Sequence, residues 1–70
     1  MINETQTRTG MVMEAVRRKI AGRVLEPGER LPSIRGFAAT MGVSPSTVVE
    51  AYDRLVAEGV IHSRRGSGFF

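Results

Sequence analysis

A mainly α fold is predicted, three helices closed by a small β-hairpin, and three observations carry it. Val12, Val16 and Ile20 recur every four residues with Met13 beside them, which is one apolar stripe along a helix. Gly42-Val43-Ser44-Pro45 reads as helix stop, apolar plug, helix cap and first turn, and it separates two further apolar-periodic segments. Beyond Gly59, a short apolar opening, an Arg- and Gly-rich turn and Phe69-Phe70 have the order of a hairpin.

Length and composition narrow the function classes. Seventy residues make one small domain with little room for an enzyme active site. A chain of this size buries only about 60% of its unfolded surface, so its stability is modest. The chain has no cysteine and one histidine, which leaves neither disulfides nor a thiolate or histidine-rich metal site. No apolar run approaches the roughly 20 residues of a membrane span, and no signal segment opens the chain. A cytoplasmic setting without membrane contact is therefore expected. Lys and Arg number 10 against 7 Asp and Glu, a formal charge of +3. All the basic residues but Lys19 are arginines, whose planar donor fork matches phosphate or a guanine edge.

In chain order, residues 1–9 are polar and aperiodic and read as a flexible tail, with the domain proper spanning residues 10–70. The first helix is expected from Thr9 or Gly10 to Ala21, with Gly22 as a left-handed stop. Arg17, Arg18 and Lys19 read as a solvated helix face in preference to a DNA-facing patch. Pro27-Gly28 is a turn, since Pro presets φ and Gly accepts a positive one. Glu29-Arg30-Leu31 is expected as one short strand. Ser33 then caps a second helix from Ile34 to about Met41, buried through Phe37, Ala38 and Met41. Gly36 weakens that helix by about 1 kcal/mol relative to Ala, so the helix leans on tertiary packing.

The third helix is expected from Pro45 to Glu58, with Gly59 at its carboxyl end. Val48, Ala51, Tyr52 and Leu55 face the core at helical spacing, while Ser46, Val49, Glu50 and Asp53 remain outside with Thr47 at the edge. Two helices joined by a short turn containing Gly form a helix-turn-helix. Val60 to Arg64 opens the hairpin, Arg65-Gly66-Ser67-Gly68 turns it, and Phe69-Phe70 begins the return. An ending on two apolar rings that look exposed suggests a piece of a longer protein.

No residue pattern supports catalysis: the serines lack a histidine at motif spacing, and no glycine pattern forms a phosphate loop after a strand. For nucleic acid the pattern is more specific. Ser44, Ser46 and Thr47 put small hydroxyls at the amino end of the third helix, where backbone N–H groups also point outward. Arg35 lies two residues into the second helix, toward the same groove wall. Arg64 and Arg65, with Gly66 and Ser67 beside them, form a ribbon able to reach a minor groove, whose narrow A·T tracts attract Arg.

Pro27-Gly28-Glu29-Arg30-Leu31-Pro32-Ser33-Ile34-Arg35, Gly42-Val43-Ser44, Thr47-Val48, Ala51-Tyr52, Leu55, Glu58-Gly59 and Arg65-Gly66-Ser67-Gly68 together resemble the GntR-family winged helix-turn-helix. The resemblance covers about residues 11–70. Val49-Glu50-Ala51-Tyr52 with Arg64-Arg65-Gly66-Ser67-Gly68 is most similar to the MocR subfamily, whose members join this domain through a linker to an aminotransferase-like domain that binds pyridoxal phosphate. The resemblance implies a bacterial transcription regulator that binds a double-stranded DNA operator as a homodimer. It implies no cofactor in these residues, with pyridoxal phosphate held, if anywhere, in a C-terminal domain beyond them.

Residue by residue, it makes Arg35 the phosphate- and base-contacting arginine of the second helix. Ser44, Ser46 and Thr47 become contacts at the start of the recognition helix, and Arg65 and Gly66 the wing tip in the minor groove. Pro45 stands where many members have an arginine that reads guanine, so that contact is expected to be missing. Val49 replaces a polar or basic residue, which suggests apolar contact with a thymine methyl. Ile34 and Gly36 are unusual choices on the second helix. Two rivals remain: a winged helix used for protein–protein contact, and an accessory domain of a pyridoxal-phosphate enzyme in which DNA binding is vestigial.

Overall fold

The computed structural model describes residues 7–22, 28–64 and 68–70. Three helices, α1 (Arg8–Ala21), α2 (Ile34–Met41) and α3 (Pro45–Ala57), precede two short strands, β1 (Ser63–Arg64) and β2 (Gly68–Phe69). The strands are antiparallel, with Ser63 opposite Phe69 and Arg64 opposite Gly68. His62 and Phe70 exchange both backbone hydrogen bonds, at 2.7 and 2.8 Å, and so extend the ladder by one pair. This is the mainly α winged helix-turn-helix that the sequence predicts.

Each helix start is set by a hydroxyl. Thr7, Ser33 and Ser44 are extended residues whose side chains accept from the N–H three residues on, at Gly10, Gly36 and Thr47. The first helix therefore begins at Arg8, slightly earlier than its apolar stripe indicates, because Thr7 is the cap. Residues 1–6 of the expected tail, residues 23–27 before Gly28, and residues 65–67 of the expected wing turn lie outside the described residues.

Two helices stop in the same way. At the end of α2, Gly42 is left-handed (φ 69°); its N–H donates to the Ala39 carbonyl and that of Val43 to the Ala38 carbonyl. At the end of α3, Gly59 (φ 77°) donates to Val56 and Val60 to Leu55. Both are the double closure that satisfies a helix's last carbonyls, and at Gly42 it also packs Val43 against the core. Gly22 does otherwise. It keeps a right-handed φ of −84° and donates to the Arg18 carbonyl at 2.8 Å, so it completes the last helical hydrogen bond and is not a left-handed stop.

Helix α3 is the centre of the packing, with α1 on one side and α2 on another. Val48, Ala51, Tyr52 and Leu55 are all fully buried, as are Val12, Met13 and Val16 of α1. Phe37, Ala38, Leu31 and Ile61 complete the core, and Met41 and Val43 pack half-buried at its edge. Tyr52 joins three elements: its ring lies 6.2 Å from that of Phe37 and 5.0 Å, edge-on, from that of Phe69, and its hydroxyl donates to the Pro32 carbonyl at 2.9 Å. Phe69 and Phe70 are thus half-buried, contrary to their exposed look in the sequence.

Glu29-Arg30-Leu31 is not a strand. Leu31 alone reaches the wing, its N–H donating to the Phe69 carbonyl at 2.8 Å. Pro32 follows with no N–H to offer, so the pairing cannot propagate. Val60 and Ile61 also stay outside β1, because the Val60 N–H is already committed to closing α3.

Candidate nucleic-acid interface

At the start of α3 the hydroxyls of Ser44, Ser46 and Thr47 form one cluster. Ser44 Oγ lies 3.0 Å from Ser46 Oγ and 2.9 Å from Thr47 Oγ1 while also accepting from the Thr47 N–H at 3.4 Å. Pro45 at the first helical position fixes the entry of the chain and removes one N–H that would otherwise need an acceptor. Thr47 and Val48 donate their N–H groups back to the Ser44 carbonyl, at 3.1 and 3.4 Å. Ser44, Pro45, Ser46 and Val49 are exposed, and Val49 is the single large apolar side chain exposed on this helix among the described residues.

The charges divide into two groups. Three arginines of α1 and α3 are taken up internally: Arg17 meets Glu58 at 2.6 Å, Arg18 meets Glu14 at 3.4 Å, and Arg54 meets Glu50 at 3.0 Å. This agrees with reading Arg17-Arg18-Lys19 as a solvated helix face. Arg30, Arg35 and Arg64 are exposed and make no ion pair among the described residues, nor do Arg8 and Lys19. Arg35 forms no salt bridge to Glu29 or to another carboxylate among the described residues. Arg64 is steadied instead by the Phe70 ring, its guanidinium carbon 5.0 Å from the centroid.

Arg35 shares a cleft of about 320 Å³ with Arg30, Ser33, Gly68 and Phe69. The start of the second helix and the return strand of the wing thus line one cleft with two unpaired arginines. No hydrogen bond joins the Ser44 cluster to Arg35 or Arg64 among the described residues. Arg65, Gly66 and Ser67 of the expected wing tip lie outside the described residues.

Sequence reasoning missed Arg30. Its guanidinium lies against Gly68: a Cβ added there would come to 3.1 Å from Arg30 Nε. The available signal was Leu31, which must turn inward beside Pro32 and leaves Arg30 to face out. Gly36 gains a reason as well, since a Cβ there would fall 2.9 Å from the Ser33 Oγ that caps the helix.

No group of three or more His, Cys, Asp or Glu side chains could hold a metal among the described residues. No described helix is long and apolar enough to cross a membrane. Burial pushes the Tyr52 phenol from 10.0 up to about 12. That group is enclosed in the core.

Comparison with known proteins matches residues 8–70 to the family described as bacterial regulatory proteins, gntR family. The chain is 47% identical over 55 residues to the HTH-type pyridoxine biosynthesis transcriptional regulator PdxR of Corynebacterium glutamicum, covering 79% of this chain and 12% of that protein. It is 46% identical over 59 residues to the putative L-lactate dehydrogenase operon regulatory protein of Escherichia coli K12, covering 84% of this chain and 23% of that one. To the probable rhizopine catabolism regulatory protein MocR of Rhizobium meliloti it is 46% identical over 55 residues, covering 79% and 11% respectively. The chain thus spans less than a quarter of the length of each of these relatives. It belongs to the gntR family of bacterial regulatory proteins, as a helix-turn-helix DNA-binding domain with MocR-like relatives.

Proposed function

We propose that this domain binds operator DNA as one half of a dimer, with the amino end of α3 in the major groove and the wing in the adjacent minor groove. The observation that carries the reading is the exposed start of α3, small and hydroxyl-rich, in a domain whose unpaired arginines include Arg35 and Arg64. Arg35, Ser44, Thr47, Arg64 and Arg65 supply phosphate contacts, with Gly66 and Ser67 letting the wing backbone approach the sugars. Pro45, Ser46 and Val49 face base edges, and Val49 meets a thymine methyl. A protein-binding face would carry aromatic or Leu side chains there, and Val49 alone does not make one.

In the whole protein this domain acts in the cytoplasm beside a separate effector domain. The likeness to MocR-type regulators favours one that holds pyridoxal phosphate, leaving residues 1–70 without catalysis or cofactor. The test is a titration of a duplex from the chain's own upstream region. Arg35→Ala and Arg65→Ala are each expected to weaken binding about tenfold, as loss of a charged hydrogen bond does, without lowering the thermal midpoint. The parent should lose affinity with salt at a log–log slope of about −0.9 per phosphate contacted. A flat salt response with both variants at parent affinity overturns the reading.

A further inference from the structure

We propose that Arg30 is a further phosphate-contacting residue, and that the cleft between α2 and the wing seats one backbone phosphate of duplex DNA. The inference rests on the DNA-binding reading and adds a site to it.

The cleft gathers two cations. Arg30 and Arg35 both line it, both are exposed, and neither has a carboxylate partner among the described residues, although Glu29 is adjacent in sequence. Two like charges facing one small volume repel in the free protein, and an anion placed between them relieves that repulsion. The rest of the lining is largely apolar, from Leu31, Pro32, Ile34 and Phe69, so the two guanidinium groups carry the recognition of the anion. Ser33 offers a hydroxyl, and Gly68 carries no side chain that would hold the sugar chain away.

Arg30 is also seated, unlike a typical surface arginine. Its guanidinium packs on Gly68, where a Cβ would stand 3.1 Å from Nε and 3.4 Å from the nearer terminal nitrogen. Gly68 has φ +100°, which side-chain-bearing residues rarely adopt, and it pairs across the hairpin with Arg64. One position along, the Leu31 N–H donates to the Phe69 carbonyl and pins this segment to the return strand. Arg30 therefore sits where the helix-turn-helix unit and the wing meet. A phosphate held there touches both halves of the domain.

Binding is to be measured for the chain with two duplexes, one from its own upstream region and one of unrelated sequence. Arg30→Ala is expected to lower affinity for both about tenfold and to reduce the salt slope by about 0.9, as loss of one phosphate contact does. Arg30→Lys keeps the slope, because the charge remains, but loses part of the affinity with the planar fork. If Arg35→Ala weakens binding while Arg30→Ala matches the parent in affinity and slope, the inference fails and the DNA reading stands. If neither substitution changes binding, the inference fails together with the assignment of Arg35, and a flat salt response of the parent overturns the DNA reading itself. Loss of affinity with an unchanged slope makes Arg30 a support of the wing and overturns the phosphate assignment. Should Arg30→Ala not fold, as judged by thermal unfolding, Arg30→Gln carries the same comparison.

Discussion

Tyr52→Ala is expected to abolish cooperative unfolding at room temperature, leaving a chain with residual helix and no fixed core. The ring is fully buried and touches Phe37 of α2 and Phe69 of β2 from its place on α3. Truncating a buried aromatic costs about 3–5 kcal/mol, since it forfeits transfer energy and opens a cavity. At roughly 0.05–0.15 kcal/mol per residue, a chain of 70 residues holds only ~4–10 kcal/mol in all. The substitution also deletes the hydroxyl that satisfies the Pro32 carbonyl, which fixes the approach to α2. Tyr52→Phe separates the two effects: it keeps the rings in contact and loses one hydrogen bond, for about 1 kcal/mol. Urea titrations of the three proteins, followed by circular dichroism, measure both steps. A Tyr52→Ala protein that still melts in one sharp transition near the parent's midpoint would show that the three elements are joined mainly by other contacts.

Between pH 10 and 12 the parent should lose stability on the order of 2 kcal/mol relative to Tyr52→Phe. Burial raises the phenol from 10.0 to about 12 in the folded state. Below pH 10 the group is neutral in both states and contributes nothing pH-dependent. Above it the unfolded chain releases the proton while the folded chain retains it, so the unfolded state binds fewer protons and stability falls as pH rises. The stabilisation is complete below pH 10 and gone once the folded group ionises. Tyr52 is the sole tyrosine and the chain has no tryptophan, so tyrosinate absorbance reports this one group directly. Ionisation near pH 10 in the folded protein, or an equal alkaline loss in Tyr52→Phe, would contradict the buried, hydrogen-bonded placement.

What the sequence made legible was local. Ser33, Gly42, Ser44, Pro45 and Gly59 act on neighbours within a few residues, so the boundaries of α2 and α3 and the turn between them could be placed from residue chemistry alone. The buried face of α3 was equally legible, because one helical period assigns Val48, Ala51, Tyr52 and Leu55 together. Gly22 was misjudged because glycine permits a left-handed stop without requiring one, and the Arg18 carbonyl held it right-handed. The contacts of Tyr52 with Pro32 and Phe69, and of Arg30 with Gly68, were invisible because they join residues 17 to 38 apart, a spacing that no periodicity encodes. For the same reason Phe69 and Phe70 looked exposed, and the extended segment before Pro32 looked like a strand.

Polar ties from α1 to α3 and to its cap residue Glu58 bear on how the domain assembles. Thr9 donates to Glu50 at 3.3 Å and Arg17 pairs with Glu58 at 2.6 Å, and each tie spans 41 positions of chain. The α2–α3 hairpin closes over a turn of a few residues, whereas docking α1 must first close a loop of about 40 residues, an entropic cost met before any contact returns it. The hairpin is then the natural folding nucleus and α1 its late arrival. Val12→Ala, at the heart of the α1–α3 seam, should accelerate unfolding while leaving the refolding rate nearly unchanged, and Ala51→Gly should slow refolding. Stopped-flow chevrons of these variants would order the two events. On that order unfolding begins with α1, and the lifetime of the folded domain is set by a helix that carries none of the proposed DNA contacts.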